Sequence, residues 1–422
     1  MQYIWRWRLW PEVPVRGVRG ERILVVDPGV QNTGSGPDFF NAVLRIDGQT
    51  YAGTVEMHVH ASDWHRHNHD GDPAYDNVIL HVVRYDDCEI RVGEEGRLLP
   101  QVVMDCSVDF PAHYRNLVNN PDLEVPCAQG MKDVPRIFIT DWITSLAMER
   151  LQRKADDVRR LAEGFADDWK RAAFVTLARG LGSGTNADAM ERVARSLPLK
   201  ILERHHDNYM AIEAMLMGQA GLLAEYPRDR YEERLKEEYA FYSRKFGLKA
   251  EDIHWQLRTR PQNAPVRRLA LLAHIVQGGF AFAGCVFNLE GDEDPRDFFN
   301  VEPNTYWLTH LSYGHPCESV PTLLSYQMTN LLLINVVAPL VYAWGDRLGD
   351  DSRRERVIDM LQKLPAESNS IVRMFDEAGL KSRDAFTSQA VIQLRRNYCE
   401  TRKCLFCRLG HRLLASKVPT PR

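Results

Sequence analysis

The period of the hydrophobic pattern changes near residue 140, and this constrains the fold more than any other feature of the 422-residue chain. Before that point short β-rich runs alternate with turn signals. Arg22–Val26 is one such run, and Phe39–Ile46 and Gln49–Ala61 flank Asp47-Gly48, a strong hairpin signal. Val78–Val83 is continuously apolar, as in a strand buried on both faces, and Gln101–Met104 reads as a further strand. Residues 3–10 and 63–69 read as helices. After residue 140 the apolar residues recur every three or four positions. Helices are predicted over Asp141–Lys170, Ala187–Arg195, Asp207–Leu223, Arg230–Phe246, Val266–Val276, Thr322–Trp344, Arg353–Leu364 and Asp384–Tyr398. Pro261, Pro265, Pro303 and Pro316 punctuate the connections.

This pattern predicts a mixed α/β N-terminal domain over 1–135, a largely all-α region over 136–390 and a small Cys-rich tail over 391–422. A composition that is 44% hydrophobic and 26% charged excludes a largely disordered chain. The N-terminus alternates aromatic and basic residues and lacks the pattern of a signal peptide. The apolar runs Leu269–Phe287 and Leu331–Trp344 are broken by polar residues, glycines and Pro339, so buried helices are expected there, not membrane spans. The expectation is a cytoplasmic protein without a membrane partner.

Chemistry concentrates between Asn32 and Val83. Gly36-Pro37-Asp38-Phe39 precedes one strand, and Val55-Glu56-Met57-His58-Val59-His60 lies on the next. Six of the 14 histidines follow in close order: His58, His60, His65, His67, His69 and His81. On a strand Glu56, His58 and His60 share a face. Ser62 or Asp63 would cap the next helix and place His65 and His69 on one side of it. A tight turn at Asp47-Gly48 sets Asp38 opposite Met57, and a bulge sets it opposite His58. Two carboxylates on neighbouring strands suit a hard divalent cation such as Mg²⁺ or Mn²⁺. The competing reading is a Gly-Pro-Asp turn beside a solvated Glu/His face. His81 reads as a hydrogen-bonded core histidine and His67 as solvated.

Asp38 after Pro37, with Glu56-Met57-His58 on the next strand, resembles the PD-(D/E)XK, or restriction-endonuclease-like, nuclease superfamily. The resemblance spans about residues 20–105. It implies a three-layer core with a mixed sheet, Asp38 and Glu56 as metal ligands, and His58 where the superfamily usually has lysine. Histidine titrates near neutrality, so the water-activating role is altered. An alternative is a zinc hydrolase built on the histidines.

The tail holds three of the eight cysteines. Cys399, Cys404, Cys407 and His411 have spacings that can close a Cys₃His zinc site. A [4Fe–4S] cluster with a distant fourth ligand is the less favoured alternative. Net charge is −4, but residues 392–422 alone carry eight Lys/Arg and one acid, a net +7, which leaves −11 for the rest. Arg395, Arg396, Arg402, Lys403, Arg408 and Arg412 could therefore contact nucleic-acid phosphates, or the tail could pair with the acidic body. Arg258, Arg260, Arg267 and Arg268 form a second basic group.

Over nearly its full length the chain resembles a bacterial family designated domain of unknown function 2851. The residues that carry this are Gly-Pro-Asp-Phe at 36–39, Val-Glu-Met-His at 55–58, Ser62-Asp63-Trp64 with His65 and His67, and Tyr75 with the 78–83 strand. Arg195-Ser-Leu-Pro198, Glu213–Gly221, Arg260–Arg267 and the Tyr398-Cys399 tail complete the set. Ala264 stands where phenylalanine is expected. The resemblance implies that the α/β and helical parts belong together, and it supplies no activity. The reading that follows is a metal-dependent nuclease or nuclease-like protein. The alternatives are a non-catalytic nucleic-acid or protein-binding module on the same fold, or the zinc hydrolase.

Overall fold

A computed structural model describes the chain apart from residues 8–14, 33, 94–95, 105–113, 115–123, 261–262, 290–293, 302–303, 319–323 and 416–422. Cys106, Pro261, Pro303, residues 8–10 of the first expected helix and the start of the expected 322–344 helix lie outside the described residues. The chain divides into two compact units. Met1–Trp142 and Arg396–Arg422 form one, and Ile143–Arg395 forms the other. The Cys-rich tail is thus part of the N-terminal unit.

The first unit is built on a mixed sheet. Its strands are β1 (Val15–Arg16), β2 (Arg22–Asp27), β3 (Val30–Gln31), β4 (Phe39–Ile46), β5 (Gln49–His60), β6 (Val78–Tyr85) and β9 (Gln101–Val103), while β7 (Arg91–Val92) and β8 (Arg97–Leu98) make a separate pair. The order is β1-β2-β4-β5-β6-β9, with β3 beside β4. Strands β2, β4 and β5 are antiparallel neighbours, whereas β5, β6 and β9 run parallel. The expected hairpin is present. Asp47 and Gly48 both take positive φ, 47° and 89°, the geometry of a two-residue turn whose twist matches the strands.

The register of β4 against β5 differs from both expected ones. Ala42 pairs with Gly53 but Phe39 pairs with Val55, so three steps on β4 face two on β5. The extra residue is on β4, where Asn41 sits at φ 56°. Continuing this register by one step sets Asp38 opposite Glu56. At Gly53 the start of β6 comes so close that a Cβ would lie 2.6 Å from the Asn77 carbonyl oxygen. Only glycine fits there.

Alternation along β5 and β6 then sorts the two faces. Val55, Met57, Leu80 and Val82 pack with Ile4 and Trp5 of the helix Gln2–Arg6 and with Leu414 of the helix Arg408–Ala415. Glu56 pairs across the ladder with His81, and this face is lined by Trp64 and Tyr75. As the continuous apolar run required, β6 is buried from Val78 through Val83. The predicted helix over 63–69 shrinks to Asp63–Arg66, because Asn68 turns left-handed at φ 61° and ends it.

The second unit is helical; the run expected over Asp141–Lys170 ends at Gly164, and helices at Trp169–Leu181, Ala281–Phe287 and Ser370–Glu377 add to those the sequence predicted. Arg230–Phe246 agrees at both ends, and the run expected from Thr322 is the helix Tyr326–Leu348. Side-chain caps explain the starts: Asp168, Asn208, Asp229, Asp350 and Asn369 each accept a first-turn N–H, and Asp384 forms a capping box with Thr387. Among the described residues Tyr326–Leu348 alone is a single helix long and apolar enough to cross a membrane, and 78% of its most apolar window is buried inside the protein.

Candidate metal centre

Glu56 is 6% exposed, on the central strand β5. Its Oε2 accepts a hydrogen bond from the Asp38 backbone N–H at 3.0 Å, a contact the bulge makes possible. Oε1 lies 3.5 Å from His58 Nε2 and 3.7 Å from His69 Nε2. His67 Nδ1 is 3.1 Å from His58 Nε2. One ligand atom from each of His58, His67 and His69 lies within 4.8 Å of the others. Three imidazoles therefore converge, and the Glu56 carboxylate lies against two of them, His58 and His69.

Local backbone accounts for this. His67 and His69 flank left-handed Asn68, and the His69 N–H bonds back to the Trp64 carbonyl at 3.2 Å. The turn thus brings both rings to β5. A regular helix would have grouped His65 with His69; instead His65 points outward and pairs with Asp70 at 2.5 Å. His60 stacks on Tyr85 with centroids 5.0 Å apart. His69 stacks on Tyr75 at 3.8 Å, and Trp64 stands edge-on to His58, His69 and His81.

His81 is the buried core histidine that the sequence suggested, and it holds the site from behind. It is fully buried, with Nε2 2.9 Å from His58 Nδ1 and with no partner for Nδ1. When His58 Nδ1–H donates to His81 Nε2, the His58 Nε2 lone pair faces Glu56, His67 and His69.

The electrostatics follow from burial. Desolvation, then the neighbouring His67 and His69, brings His58 down to about 4. Desolvation, then His58, brings His81 down to about 3. Desolvation also lowers His69. These rings are neutral at pH 7, the form that ligates metal. Desolvation, reinforced by the charge of Asp38, raises Glu56 to about 8, against the opposing Asp38 N–H bond.

Asp38 is adjacent but differently engaged. Its Oδ2 accepts from the Met57 N–H at 3.0 Å and its Oδ1 from Gln2 Nε2 at 2.5 Å. Burial raises its pKa. A cavity of about 390 Å³ lies against β5 and the helix Gln2–Arg6, lined by Met57, Tyr3, Arg6, Trp7 and Phe406 among others, and of the centre's residues His58 alone borders it.

The tail residues are divided. The Tyr3 hydroxyl lies 2.7 Å from His411 Nδ1, and the His411 ring lies on Trp7 at 4.2 Å. Burial raises the Cys127 thiol, and Cys407, Cys399 and Cys404 of the tail add to that shift. Arg408 pairs with Asp141 and lies 5.0 Å over the Trp142 ring, and Arg412 lies over Phe138. Arg396, Arg402 and Lys403 are exposed and Arg395 is half-buried. The second basic group splits: Arg258 and Arg260 are exposed, while Arg267 and Arg268 are buried. Arg267 donates to the His310 carbonyl at 2.9 Å, a structural role.

The second unit holds a buried acid that the sequence did not mark out. Glu213 accepts from Trp307 Nε1 at 2.7 Å and from the Tyr231 hydroxyl, and burial raises it to about 7 despite these donors.

Residues 1–370 match a family described as "Protein of unknown function (DUF2851)", so the match stops short of the cysteine tail. No curated protein and no solved structure matches the chain.

Proposed function

We propose that this chain, which belongs to the DUF2851 family, is a metal-dependent hydrolase of phosphodiester bonds, with one divalent cation held by Glu56, His58, His67 and His69. The observation that carries the reading is the cluster of His58, His67 and His69, whose ligand atoms lie within 4.8 Å of one another, with Glu56 Oε1 within 3.7 Å of two of these rings, His58 and His69. An imidazole-rich donor set favours Zn²⁺ or Mn²⁺ over Mg²⁺. The sequence reading centred on Asp38, Glu56 and His58 with Mg²⁺ or Mn²⁺; here Asp38 becomes the residue that positions Glu56, and His67 and His69 join the ligands.

The phosphodiester assignment is supported by topology. An N-terminal helix, the antiparallel meander β2-β4-β5, a short helix and then parallel β6 resembles the element order expected of a restriction-endonuclease-like core. The pairing of Asp38 with Glu56 at its centre matches the acidic pair of that motif. Such an ion lowers the pKa of a water molecule and stabilises charge building on a scissile phosphate. The chain's own groups do the rest. The Asp38 N–H fixes one Glu56 oxygen so that the other faces the rings. His81 fixes the tautomer of His58. Tyr3, Trp7 and Phe406 offer aromatic surface for an unstacked base, and Arg6 a phosphate contact.

The test is incubation of the purified full chain with duplex DNA, single-stranded DNA and RNA in Mn²⁺, Zn²⁺ or Mg²⁺. Metal-stimulated cleavage is expected, lost in Glu56→Gln and in His69→Ala. Cutting that persists in both variants overturns the proposal, as does a loaded metal without cleavage of any substrate. The latter outcome favours the non-catalytic binding module.

A further inference from the structure

Strand β5 outruns β4. Their pairing begins at Phe39 opposite Val55, so residues 57–59 of β5 extend past it. Side chains meet that edge instead, and the Met57 N–H donates to Asp38 Oδ2 at 3.0 Å. The cavity of about 390 Å³ lies along this stretch, bordered by Met57, His58 and Val59. Its volume falls within the roughly 300–1,000 Å³ of pockets that take small ligands. Three aromatic rings line it, Tyr3 and Trp7 from the N-terminal segment and Phe406 from the tail. Trp7 is 40% exposed and Phe406 57% exposed, so the wall keeps aromatic surface that the fold itself does not cover.

Local structure fixes these groups in place. The Trp7 N–H donates to the Tyr3 carbonyl at 3.2 Å, and the His411 ring backs the indole at 4.2 Å while its Nδ1 meets the Tyr3 hydroxyl at 2.7 Å. On the tail side Arg402 takes φ 53°, the Lys403 N–H bonds to the Tyr398 carbonyl at 2.8 Å, and the Phe406 N–H bonds to the Lys403 carbonyl at 3.0 Å. This turn presents Phe406 just after the exposed cations Arg402 and Lys403. A third cation, Arg6, lines the cavity and is oriented by amides. It donates to Gln31 Oε1 at 3.2 Å, Gln31 Nε2 donates to Gln2 Oε1 at 3.1 Å, and Gln2 Nε2 donates to Asp38 Oδ1 at 2.5 Å. Among the described residues no carboxylate pairs with Arg6, so its charge is available to a ligand.

We infer that this cavity takes one unpaired base of a single-stranded DNA or RNA segment, with Arg6, Arg402 and Lys403 meeting the neighbouring phosphates. The choice of nucleic acid rests on the phosphodiester reading of the histidine centre; the choice of a single strand rests on the cavity. Exposed aromatic rings beside cations are what an unstacked base and its backbone require, and every base has a face that can stack. In a duplex the bases stack on one another, and turning one out costs free energy, so the cavity discriminates against paired strands. Its place at the projecting end of β5, with His58 on its border, puts the bound base one strand residue from the face that carries Glu56 and His58.

The test is fluorescence anisotropy of short labelled oligonucleotides titrated with the full chain in the presence of a chelator. The probes are single-stranded DNA, the same sequence as RNA, its blunt duplex, and a strand of abasic sites. The tighter of the DNA and RNA strands identifies the sugar, and it should bind at least ~10-fold more tightly than the duplex or the abasic strand. Trp7→Ala and Phe406→Ala should each weaken it about 5- to 150-fold, the contribution of one stacked base, while Trp7→Phe keeps most of the affinity. Arg6→Gln should flatten the slope of log affinity against log salt by ~0.7, one phosphate contact on a single strand. Both rings are exposed, so the alanine variants spare the core, and an unchanged urea midpoint verifies this. Equal binding of base-bearing and abasic strands overturns the inference, as do a duplex bound as tightly, wild-type affinity in both alanine variants, or no binding at all. Since binding is read without metal, base-dependent binding with no cleavage in Mn²⁺ upholds the cavity and removes the hydrolase. Cleavage by a chain that binds abasic strands equally well does the reverse.

Discussion

Replacing His81 with leucine separates a metal centre from a packed aromatic cluster. His81 is fully buried on β6, and its imidazole Nε2 makes a 2.9 Å hydrogen bond with His58 Nδ1. Its own Nδ1 has no partner, and a buried unsatisfied group of this kind costs ~1–3 kcal/mol. His81→Leu removes that penalty at similar volume but leaves His58 Nδ1 unpaired, a cost of the same order. The two nearly cancel, and stability should change by less than ~1 kcal/mol. Metal affinity should respond otherwise. Without its acceptor, His58 is no longer held with the Nε2 lone pair toward Glu56, and loss of such an outer partner weakens binding about 10- to 100-fold. That is ~1.4–2.7 kcal/mol of binding free energy. Mn²⁺ titration followed by electron paramagnetic resonance measures the affinity, since Mn²⁺ prefers nitrogen and oxygen ligands to the tail thiols. Urea unfolding measures the stability. His81→Gln restores an acceptor and should recover most of the affinity. Unchanged Mn²⁺ affinity in His81→Leu refutes the reasoning, and so does an affinity loss that merely tracks a loss of stability.

Further outcomes follow from other parts of the structure. Asn41→Gly should keep the bulge and the metal affinity, while Asn41→Val, forced to φ 56°, should destabilise the first unit by ~1–2 kcal/mol and weaken Mn²⁺ binding; equal affinities in the two variants would detach the bulge from the site. Gly53→Ala drives a methyl against Asn77 and Ile79 and should cost ~1–3 kcal/mol in urea unfolding; wild-type stability would contradict the close approach. Glu213 has a folded pKa of about 7, raised from 4.5, so its contribution is intact below 4.5 and is lost as pH rises through 7. Relative to wild type, Glu213→Gln should therefore gain up to ~3 kcal/mol across that window, and parallel pH profiles would refute the assignment.

What the sequence made legible was local. Asp47-Gly48 announces its hairpin because few dipeptides tolerate two positive φ values, and Val78–Val83 announces a doubly buried strand. Asp38, Glu56 and His58 were singled out because strand alternation is a rigid rule. The bulge was not legible, since Asn41 entering the left-handed region competes with an unbulged register of similar local energy. His67 reads as solvated and is indeed exposed, and helical spacing grouped His69 with His65; that both rings meet His58 depends on one left-handed residue, Asn68, which replaces helical spacing with a reversal. His65, which the helical spacing favoured, turns outward to Asp70. Glu213 reads as one polar residue in an apolar helix until Trp307 and Tyr231 close over it.

The most direct measurement is anomalous scattering from a crystal of the full chain grown with Mn²⁺. A peak at coordination distance, ~2.0–2.2 Å, from Glu56 Oε1 and from the Nε2 atoms of His58 and His69 is the predicted result. Ordered rings at this position with no peak, or a manganese peak only elsewhere, contradicts the metal centre and with it the proposed hydrolase.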